Sequence, residues 1–328
     1  MKKSVILISF LSIVLYSCNT GSYKTVAYAH GLAGDIIVVM NNQAWDTEAG
    51  DSLRKVFHEY VVGVPMEEHM FDLHQIPREQ FIKGNKLHRN VIYQEINSSV
   101  EQASIKITRN KYAMKQVFVE IAAPNQHEFA KIVSQNKKKL VDTFLEADKA
   151  RWIETLTKYT NKKASKKVQE RFNIFLRVPS YFNIDEDRDG FMWISKEAKN
   201  YSMNILVYSW EKADTSALNA EYLIAMRNLI LKNNIPGEKP NSYVTTETKY
   251  DYPQFSLLMH NSMQTGKLRG LWRVHGDFMG GPFVSFTKID EPRNRLVTVE
   301  GFVYRPNQEV RDLIRELEWT CSTFDITF

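Results

Sequence analysis

The spacing of apolar residues predicts a strand, a helix, several strands and a long helix in the first half of the chain. A continuous apolar run at residues 35–40 is typical of a buried strand, and residues 46–60 place apolar side chains on one face of a helix. A second helical stripe follows Pro124 and extends to Trp152. Alternation of apolar and polar positions predicts four more strands, at residues 69–76, 90–96, 103–108 and 115–122.

The second half shows the same kinds of pattern with more strands. Apolar residues at helical spacing predict helices over residues 216–233 and 307–322. The remaining periodic segments predict strands at residues 173–178, 190–195, 202–210, 242–249, 255–262, 268–276, 282–289 and 295–304.

Short similarities between the halves indicate a diverged duplication. The stretch 117–120 (VFVE) precedes Pro-Asn-Gln at 124–126, and the stretch 297–300 (VTVE) precedes Pro-Asn-Gln at 306–308; a predicted helix follows each. Proline ends a strand ladder, and asparagine can cap the first amides of a helix. We therefore expect an α+β protein of two related halves, each a mainly antiparallel sheet covered by helices. The predicted segments are a first half at 34–160, a basic connection at 161–171 and a second half at 172–328.

The N-terminal segment has the composition of an export signal. Lys2 and Lys3 precede an apolar run that is too short to span a bilayer as a mature helix. The run ends in Leu-Tyr-Ser-Cys at residues 15–18, which resembles the lipobox of bacterial lipoproteins. That resemblance implies a signal peptide over residues 1–17, lipidation of Cys18 and a membrane partner held through the lipid. Residues 18–33 look like a tether between the anchor and the folded body.

Composition and charge limit the class of protein. The chain has 328 residues, of which 43% are hydrophobic and 25% charged, as in ordinary folded globular proteins. A formal charge of +5 is too small to indicate a nucleic-acid partner. If Cys18 carries lipid, Cys321 has no intramolecular disulfide partner, and its place in a helical apolar stripe predicts a buried, unreactive thiol.

The segment 269–283 (RGLWRVHGDFMGGPF) is the richest candidate for ligand binding. Its glycines let backbone approach a ligand closely, its tryptophan offers a stacking face, and its arginines and aspartate offer charge. The alternative is a tight hairpin, with the glycine pair as turn residues and the tryptophan in the core. The candidate ligand-binding residues are Arg269, Trp272, Arg273, Asp277, Gly280 and Gly281, with Trp45 from the first half.

An acidic stretch resembles the start of a calcium loop. Asp185, Asp187 and Asp189 alternate along the chain, and Gly190 occupies the sixth position. The twelfth position is Lys196 instead of a bidentate glutamate, and the flanking residues are predicted to be strands. We therefore interpret the stretch as the acidic tip of a hairpin, and we predict neither a metal nor another cofactor.

The whole pattern resembles a family of uncharacterised bacterial envelope lipoproteins, domain of unknown function 4837, over nearly all of the chain after Cys18. The motifs that carry the resemblance include the segment 269–283 together with GD and VVM near 34–40, RNV at 89–91, FMWI at 191–194 and GFVY at 301–304. The resemblance implies a lipoprotein and supplies no activity or catalytic residue. The order of strands and helices in the second half is also similar to the α/β/α sandwich of PsbP-like proteins.

These observations favour a membrane-anchored envelope lipoprotein that acts as a non-catalytic binding or assembly module. The sequence holds no nucleophile-elbow, phosphate-loop or dinucleotide motif. We expect the partner to be another envelope protein or a glycan. The alternatives are an envelope hydrolase with a site between the halves and a structural subunit of an envelope complex. Because residues 19–22 lack acidic side chains, we favour an outer-membrane protein that faces the periplasm over one on the cell surface.

Overall fold

The computed structural model of the chain describes residues 27–211 and 217–327. The predicted signal peptide (1–17) and the predicted lipidation site at Cys18 lie outside the described residues. The end of the predicted tether is hydrogen-bonded to the first half, since Ala29 N donates to Met114 O at 2.9 Å and His30 N donates to Leu87 O at 3.0 Å. Within the described part of the chain, no helix is long and apolar enough to cross a membrane.

The first half is a five-stranded sheet with helices over one face. Its strands are β1 (Asp35–Val39), β2 (Asp72–Ile76), β3 (Asn90–Ile96), β4 (Ser104–Arg109) and β5 (Val117–Ala123). Its helices are α1 (Asn42–Trp45), α2 (Glu48–Phe57), α3 (Gln126–Gln135) and α4 (Lys137–Lys158), with short 3-10 turns at Arg78–Gln80 and Lys83–Leu87. The strand order is β2-β1-β3-β5-β4.

The prediction of a mainly antiparallel sheet is wrong for the first half. β2, β1, β3 and β5 run parallel, and the edge strand β4 is antiparallel to β5. α2 lies between β1 and β2 in the chain. It carries the chain back to the edge of the sheet where β1 begins, so that β2 can run parallel to β1, which a tight hairpin does not allow. Ile36 and Val38 pack beneath the helices, whereas Ile37 and Val39 pack with Phe81 on the opposite face. A strand buried on both faces needs a continuous apolar run, as β1 has.

The second half contains a larger, antiparallel sheet. Its helices are α5 (Lys162–Phe172), α6 (Ala220–Asn234) and α7 (Arg311–Cys321), and a 3-10 turn spans Glu291–Arg293. The strands are β6 (Ile174–Phe175), β7 (Asn183–Arg188), β8 (Phe191–Glu197), β9 (Ser202–Glu211), β10 (Tyr243–Thr246), β11 (Gln254–His260), β12 (Met263–His275), β13 (Gly280–Asp290), β14 (Arg295–Tyr304) and β15 (Asp325–Ile326). The order is β10-β12-β13-β14-β9-β8-β7, with β11 also on β12, and β15 pairs with β6 separately.

Helices cover both faces of this second sheet, so its layers are α/β/α. α5 and α7 pack against one face in a core that contains Phe172 and Cys321, and α6 packs against the other face with Trp272. The predicted basic connection at 161–171 is occupied by α5, and its apolar side chains belong to this core. Cys321 is fully buried, and burial, followed by the charges of Glu300 and Glu318, raises the pKa of its thiol. The thiol therefore stays protonated, and its burial is as the sequence predicted.

The predicted duplication is also wrong, because a shared order of elements does not fix which strands pair. β1, the strand before the first helices of its half, lies between two strands parallel to it. β9, the strand before α6 in the second half, lies between β8 and β14 and is antiparallel to both. Asn125 does cap α3, since its side-chain oxygen accepts a hydrogen bond from Glu128 N at 2.9 Å. Asn307 does not cap α7, which begins at Arg311.

A carboxylate of the first half caps the last helix of the second half. Glu68 is buried and accepts hydrogen bonds from Val310 N at 2.9 Å and from Arg311 N at 2.7 Å. Arg311 donates to the Asp72 carboxylate at 2.8 Å and to His69 O at 2.9 Å. Negative charge is favourable at a helix N-terminus, so these contacts join the halves and position the loop that precedes α7.

Candidate functional site

A groove of about 700 Å³ opens where the β12–β13 hairpin meets the loop that precedes α7. Both halves contribute to it, although the second half supplies most of the surface. The first half provides Pro65 and Met66. The second half provides Glu247, Tyr250, residues 271–273, residues 277–281 and residues 304–308.

Glycines allow the hairpin to form one wall of this groove. Gly276 lies in the turn with a φ of 84°, a conformation that favours glycine. Gly280 and Gly281 do not form the turn, as one interpretation of the sequence had it, but begin β13. A Cβ on Gly281 would lie 2.1 Å from Val303 O, and one on Gly280 would lie 2.8 Å from Trp272 O. Both positions therefore require glycine for the strands to approach this closely.

Trp272 supports the floor of the groove from within the core. Its indole is buried, and Nε1 donates a hydrogen bond to Val303 O at 3.0 Å. Its ring packs edge-on against Phe302 with centroids 5.4 Å apart. These contacts are those of a core residue, which was the alternative interpretation of Trp272 in the sequence. The indole could stack on a ligand only if the side chain left the core.

The polar floor of the groove is an arginine–glutamate pair. Arg273 Nε lies 3.2 Å from Glu247 Oε2, and the arginine side chain is half-exposed. Glu247 Oε1 also accepts hydrogen bonds from Lys249 N at 2.6 Å and Tyr250 N at 3.1 Å. Burial alone would raise the pKa of Glu247, but these backbone bonds and the charge of Arg273 lower it below its usual range. The carboxylate is therefore ionised and fixed in place.

Asp277 is fixed in a similar way at the tip of the hairpin. Its Oδ1 accepts a hydrogen bond from Phe278 N at 2.7 Å and lies 3.0 Å from Lys239 Nζ. The backbone bond, followed by the contact with Lys239, lowers the pKa of Asp277. The aspartate therefore shapes the turn as a charged group.

Exposed apolar side chains form the rim. Phe278 is fully exposed at the hairpin tip, Tyr250 is 81% exposed, and Met66 is also exposed. Large aromatic side chains usually bury their surface, and several around one concavity mark a place where another molecule covers them. We call Met66, Tyr250 and Phe278 the apolar rim.

Amide and guanidinium groups of the loop before α7 also line the groove. Arg305 Nε donates to Gln308 Oε1 at 2.9 Å, and Arg305 Nη1 donates to Glu309 O at 2.6 Å. Asn307 and Gln308 are exposed. These planar polar groups provide donors and acceptors in the same groove as the apolar rim.

Two of the predicted ligand-binding residues lie away from the groove. Arg269 Nε donates to Val62 O at 2.8 Å, and its Nη1 lies 2.5 Å from Glu318 Oε2, so this side chain links the two halves. Trp45 ends α1, and the Arg54 guanidinium lies 4.4 Å from its ring centroid. The structure brings the other five predicted residues, Trp272, Arg273, Asp277, Gly280 and Gly281, to the groove.

The acidic stretch lies in the β7–β8 hairpin, where one of its carboxylates pairs with basic side chains of α5. Asp187 lies 2.8 Å from Arg171 Nε and 3.2 Å from Lys167 Nζ. Asp185 and Asp189 are in the same hairpin segment, between two antiparallel strands. Among the described residues, no group of three or more His, Cys, Asp or Glu side chains is arranged to hold a metal ion.

Five residues of the groove were not predicted from the sequence: Tyr250, Phe278, Arg305, Asn307 and Gln308. A signal for the two aromatic residues was present, because each lies in a segment rich in turn-forming residues, where a buried position is uncommon. The sequence held no comparable signal for Arg305, Asn307 and Gln308. These residues follow β14, and the pairing of β13 with β14 brings them close to the hairpin.

Two family models match the chain. They confirm the predicted resemblance to domain of unknown function 4837 for the second half, whereas the first half, which was predicted to share it, matches a different family. Residues 161–323 match DUF4837, a domain of unknown function, and residues 29–157 match DUF8532, also a domain of unknown function. The second half is therefore a DUF4837 domain, and the first half, including Trp45 and the RNV motif at 89–91, is a DUF8532 domain. No curated protein matches the chain.

Solved structures show a distant likeness. A mutant of protein Mog1 is 13% identical with a TM-score of 0.33, and the match covers 47% of this chain and 91% of that one. LpqN, a protein involved in cell envelope biogenesis in Mycobacterium tuberculosis, is 12% identical with a TM-score of 0.30, and the match covers 47% of this chain and 83% of that one. Similarity at this level does not establish a shared function.

Proposed function

We propose that this chain, a DUF8532 domain followed by a DUF4837 domain, is a non-catalytic binding module of the cell envelope that holds a glycan strand in the groove between the hairpin and the loop before α7. The observation that carries the proposal is the apolar rim, whose exposed Phe278 and Tyr250 surround a concavity with a fixed charged floor. A site of this kind needs a ligand to cover its apolar surface.

The chemistry of the groove fits a glycan better than a purely apolar ligand. A sugar ring has an apolar face of C–H groups, which packs on an aromatic ring, and an edge of hydroxyl groups, which bonds to planar polar side chains. The rim offers Tyr250 and Phe278 for the first contact, and Arg273, Asn307 and Gln308 offer donors and acceptors for the second.

The same geometry supports binding over hydrolysis. Both carboxylates that line the described groove, Glu247 and Asp277, have a lowered pKa. A general acid must carry a proton near neutral pH, which requires a raised pKa instead. Glu247 is also occupied by two backbone amides and Arg273, so it is poorly placed to accept a proton from water.

The membrane attachment is part of the proposal. The lipobox-like sequence that ends at Cys18 supports acylation of that residue and a body held at the outer membrane, facing the periplasm. Replacement of Cys18 by serine is expected to release the protein from sedimented membranes. Retention of the Cys18→Ser protein in the membrane pellet would contradict the anchoring.

Binding calorimetry with soluble cell-wall glycan fragments tests the ligand. Two aromatic contacts contribute about 1–3 kcal/mol together, so Tyr250→Ala with Phe278→Ala is expected to weaken binding by about fivefold or more. Tyr159→Ala with Phe175→Ala is the matched control, because it removes one exposed tyrosine and one exposed phenylalanine outside the groove. Equal binding by the rim variant would contradict the site, and a wild type that binds no glycan would contradict the ligand class.

A further inference from the structure

We propose that the amino edge of the first-half sheet lies against the anionic lipid surface that holds the acyl anchor. We define this anchor-side face by Tyr28, Leu32, Ile82, Tyr112 and Met114 together with Lys83, Lys86, Lys111 and Lys115. The inference rests on the proposed acylation of Cys18, and it adds which side of the body meets the membrane.

Sheet topology brings the segments of this face together. β1, β3 and β5 are parallel and therefore begin at the same edge of the sheet, so the residues that precede them lie side by side. Met114 N donates to Ala27 O at 2.8 Å, and His30 N donates to Leu87 O at 3.0 Å. Gln116 Nε2 donates to Lys86 O at 2.7 Å. Three separate loops thus form one continuous surface.

The chain reaches this face directly from the anchor. Nine peptide steps separate Cys18 from Ala27, so the two residues lie within about 30 Å of one another even if the chain between them is fully extended. Ala27 is itself hydrogen-bonded to Met114, a member of the face. The membrane is therefore the surface nearest to these loops when the acyl chains are inserted.

The apolar side chains of the face are exposed in a manner that suits a membrane interface. Leu32 is 72% exposed and Tyr28 is 62% exposed, and Ile82, Tyr112 and Met114 are also exposed. Tyrosine is enriched where a protein meets the headgroup region, because its ring is apolar and its hydroxyl is polar. Covering these side chains with the outer part of a lipid leaflet removes their apolar surface from water.

Lysines alternate with these apolar residues. Lys115 Nζ lies 5.0 Å from the Tyr28 ring centroid, and Lys86 Nζ lies 5.5 Å from that of Tyr112. Long lysine side chains can extend their charge toward phosphate groups while their stems cover apolar surface. Clusters of lysines next to a lipid anchor are attracted to anionic headgroups.

Carboxylates neutralise part of this charge and leave the rest available. Lys111 lies 2.8 Å from Glu120, and Lys115 pairs with Glu154. Lys83 and Lys86 form no ion pair with a carboxylate among the described residues. The positive charge of the face that is not neutralised by a carboxylate therefore lies in the Lys83–Leu87 turn, next to the exposed Ile82.

Photolabelling of the full-length protein, purified from membranes of the cells that express it, tests the orientation. The protein is reconstituted into phosphatidylcholine–phosphatidylglycerol vesicles that contain a phospholipid with a photoactivatable headgroup, and the lipid adducts are mapped by mass spectrometry. We expect the adducts to concentrate in residues 27–32, 82–86 and 111–115. Adducts spread evenly over the body, or concentrated on the 276–281 hairpin, would overturn the proposal.

A charge-reversed variant provides a second test of the contact, measured by the yield of lipid adducts. Lys83→Glu with Lys86→Glu is expected to reduce adducts at the face by about threefold or more, because each lysine near an anionic surface contributes on the order of a fivefold preference. Lys162→Glu with Lys163→Glu on α5 is the matched control and is expected to leave the map unchanged. Equal adduct yields in both variants would overturn the electrostatic part of the contact.

The same samples separate this proposal from the anchoring on which it rests. If the protein fails to sediment with vesicles, acylation at Cys18 is contradicted, and the orientation with it. If the protein sediments and the adducts lie elsewhere, the anchoring holds and the orientation alone is wrong. Crosslinks from Leu32 in cells that join it to a protein, with no lipid adduct there, would also overturn the proposal.

Discussion

The two halves of the molecule cover their sheets in different ways. The first sheet has α2, α3 and α4 over one face, whereas the 78–87 segment covers the other with few buried side chains, chiefly Phe81 on Val91 and Phe118. The second sheet has α5 and α7 on one face and α6 on the other, with two large cores. The groove lies on the second sheet, which is covered by helices on both faces. Such a sheet provides the rigid base that binding loops need.

The two halves also differ in where they expose apolar side chains. The thinly covered half exposes apolar residues at the edge where the chain arrives from Cys18, and the fully covered half exposes them at a hairpin tip, around Phe278. Different surfaces of one chain therefore serve attachment and binding in this account. Substitutions at Arg227, Gly281, Glu68 and Glu316 test how independent the halves are, and how much of the groove depends on the second sheet alone.

The largest expected effect comes from the charged pair buried in the second half. Arg227 and Glu300 are within 2.7 Å, both side chains are fully buried, and Tyr208 donates a further hydrogen bond to Glu300 at 3.0 Å. Arg227→Met leaves a buried carboxylate without its partner and is expected to lower the free energy of unfolding by about 3–5 kcal/mol, measured by denaturant titration. Arg227→Met with Glu300→Leu is expected to recover most of that loss. A loss below about 1 kcal/mol for the single variant would show that the pair does not hold this core.

A smaller loss is expected at the close approach of β13 and β14. Gly281→Ala places a methyl group against Val303 O and 3.0 Å from Trp272 Nε1, so the strands must separate and the floor of the groove must shift. We expect a loss of about 1–3 kcal/mol in thermal or denaturant unfolding, with weaker glycan binding. Gly84→Ala is the control, because its nearest neighbour, His30 Nε2, is 3.9 Å away. Equal stability of the two variants would refute the close packing.

The helix cap between the halves is expected to contribute less. Glu68→Ala removes the carboxylate that accepts hydrogen bonds from Val310 N and Arg311 N, and we expect a loss of about 1–2 kcal/mol. Limited proteolysis is expected to cut faster near residues 305–310 in this variant. The exposed neighbour Glu67 provides the control in Glu67→Ala. If both variants resist cleavage equally, the cap does not join the halves.

The last expected effect is a dependence of stability on pH. Burial, followed by the charge of Asp312, raises the pKa of Glu316 to about 7. The folded chain then keeps a proton that the unfolded chain releases above its own pKa of about 4.3. This contribution is complete below that value and is lost as pH rises through about 7. Glu316→Gln is therefore expected to show a smaller fall in Tm between pH 5 and pH 8 than the wild type, and Glu309→Gln is expected to behave like the wild type. An unchanged fall in Glu316→Gln would contradict the assignment.

The sequence predicted elements better than their arrangement. The strand at 90–96 is present with those bounds, and Asn125 caps the helix that follows Pro124, because both depend on neighbouring residues. The parallel pairing of β1 with β2 and β3 was missed, although the doubly buried run of β1 was visible. The capping of α7 by Glu68 joins residues about 240 positions apart, and no local pattern reports such a contact.

The candidate site was predicted in part for the same reason. The hairpin segment provided Arg273, Asp277 and the two glycines, since glycine, charge and aromatic residues occur together there. The sequence alone did not show that Trp272 is buried and that Phe278 is fully exposed. The alternation of β12 directs Trp272 toward α6, whereas Phe278 lies in the turn, where no partner covers it.

Hydrogen–deuterium exchange of the whole protein tests the glycan-binding groove most directly. With saturating cell-wall glycan fragments, we predict slower exchange in two separate segments, residues 276–281 of the hairpin and 304–308 of the loop before α7, with little change at 82–86. Protection confined to another surface, or no protection under conditions where binding is measured, would contradict the groove as the binding site.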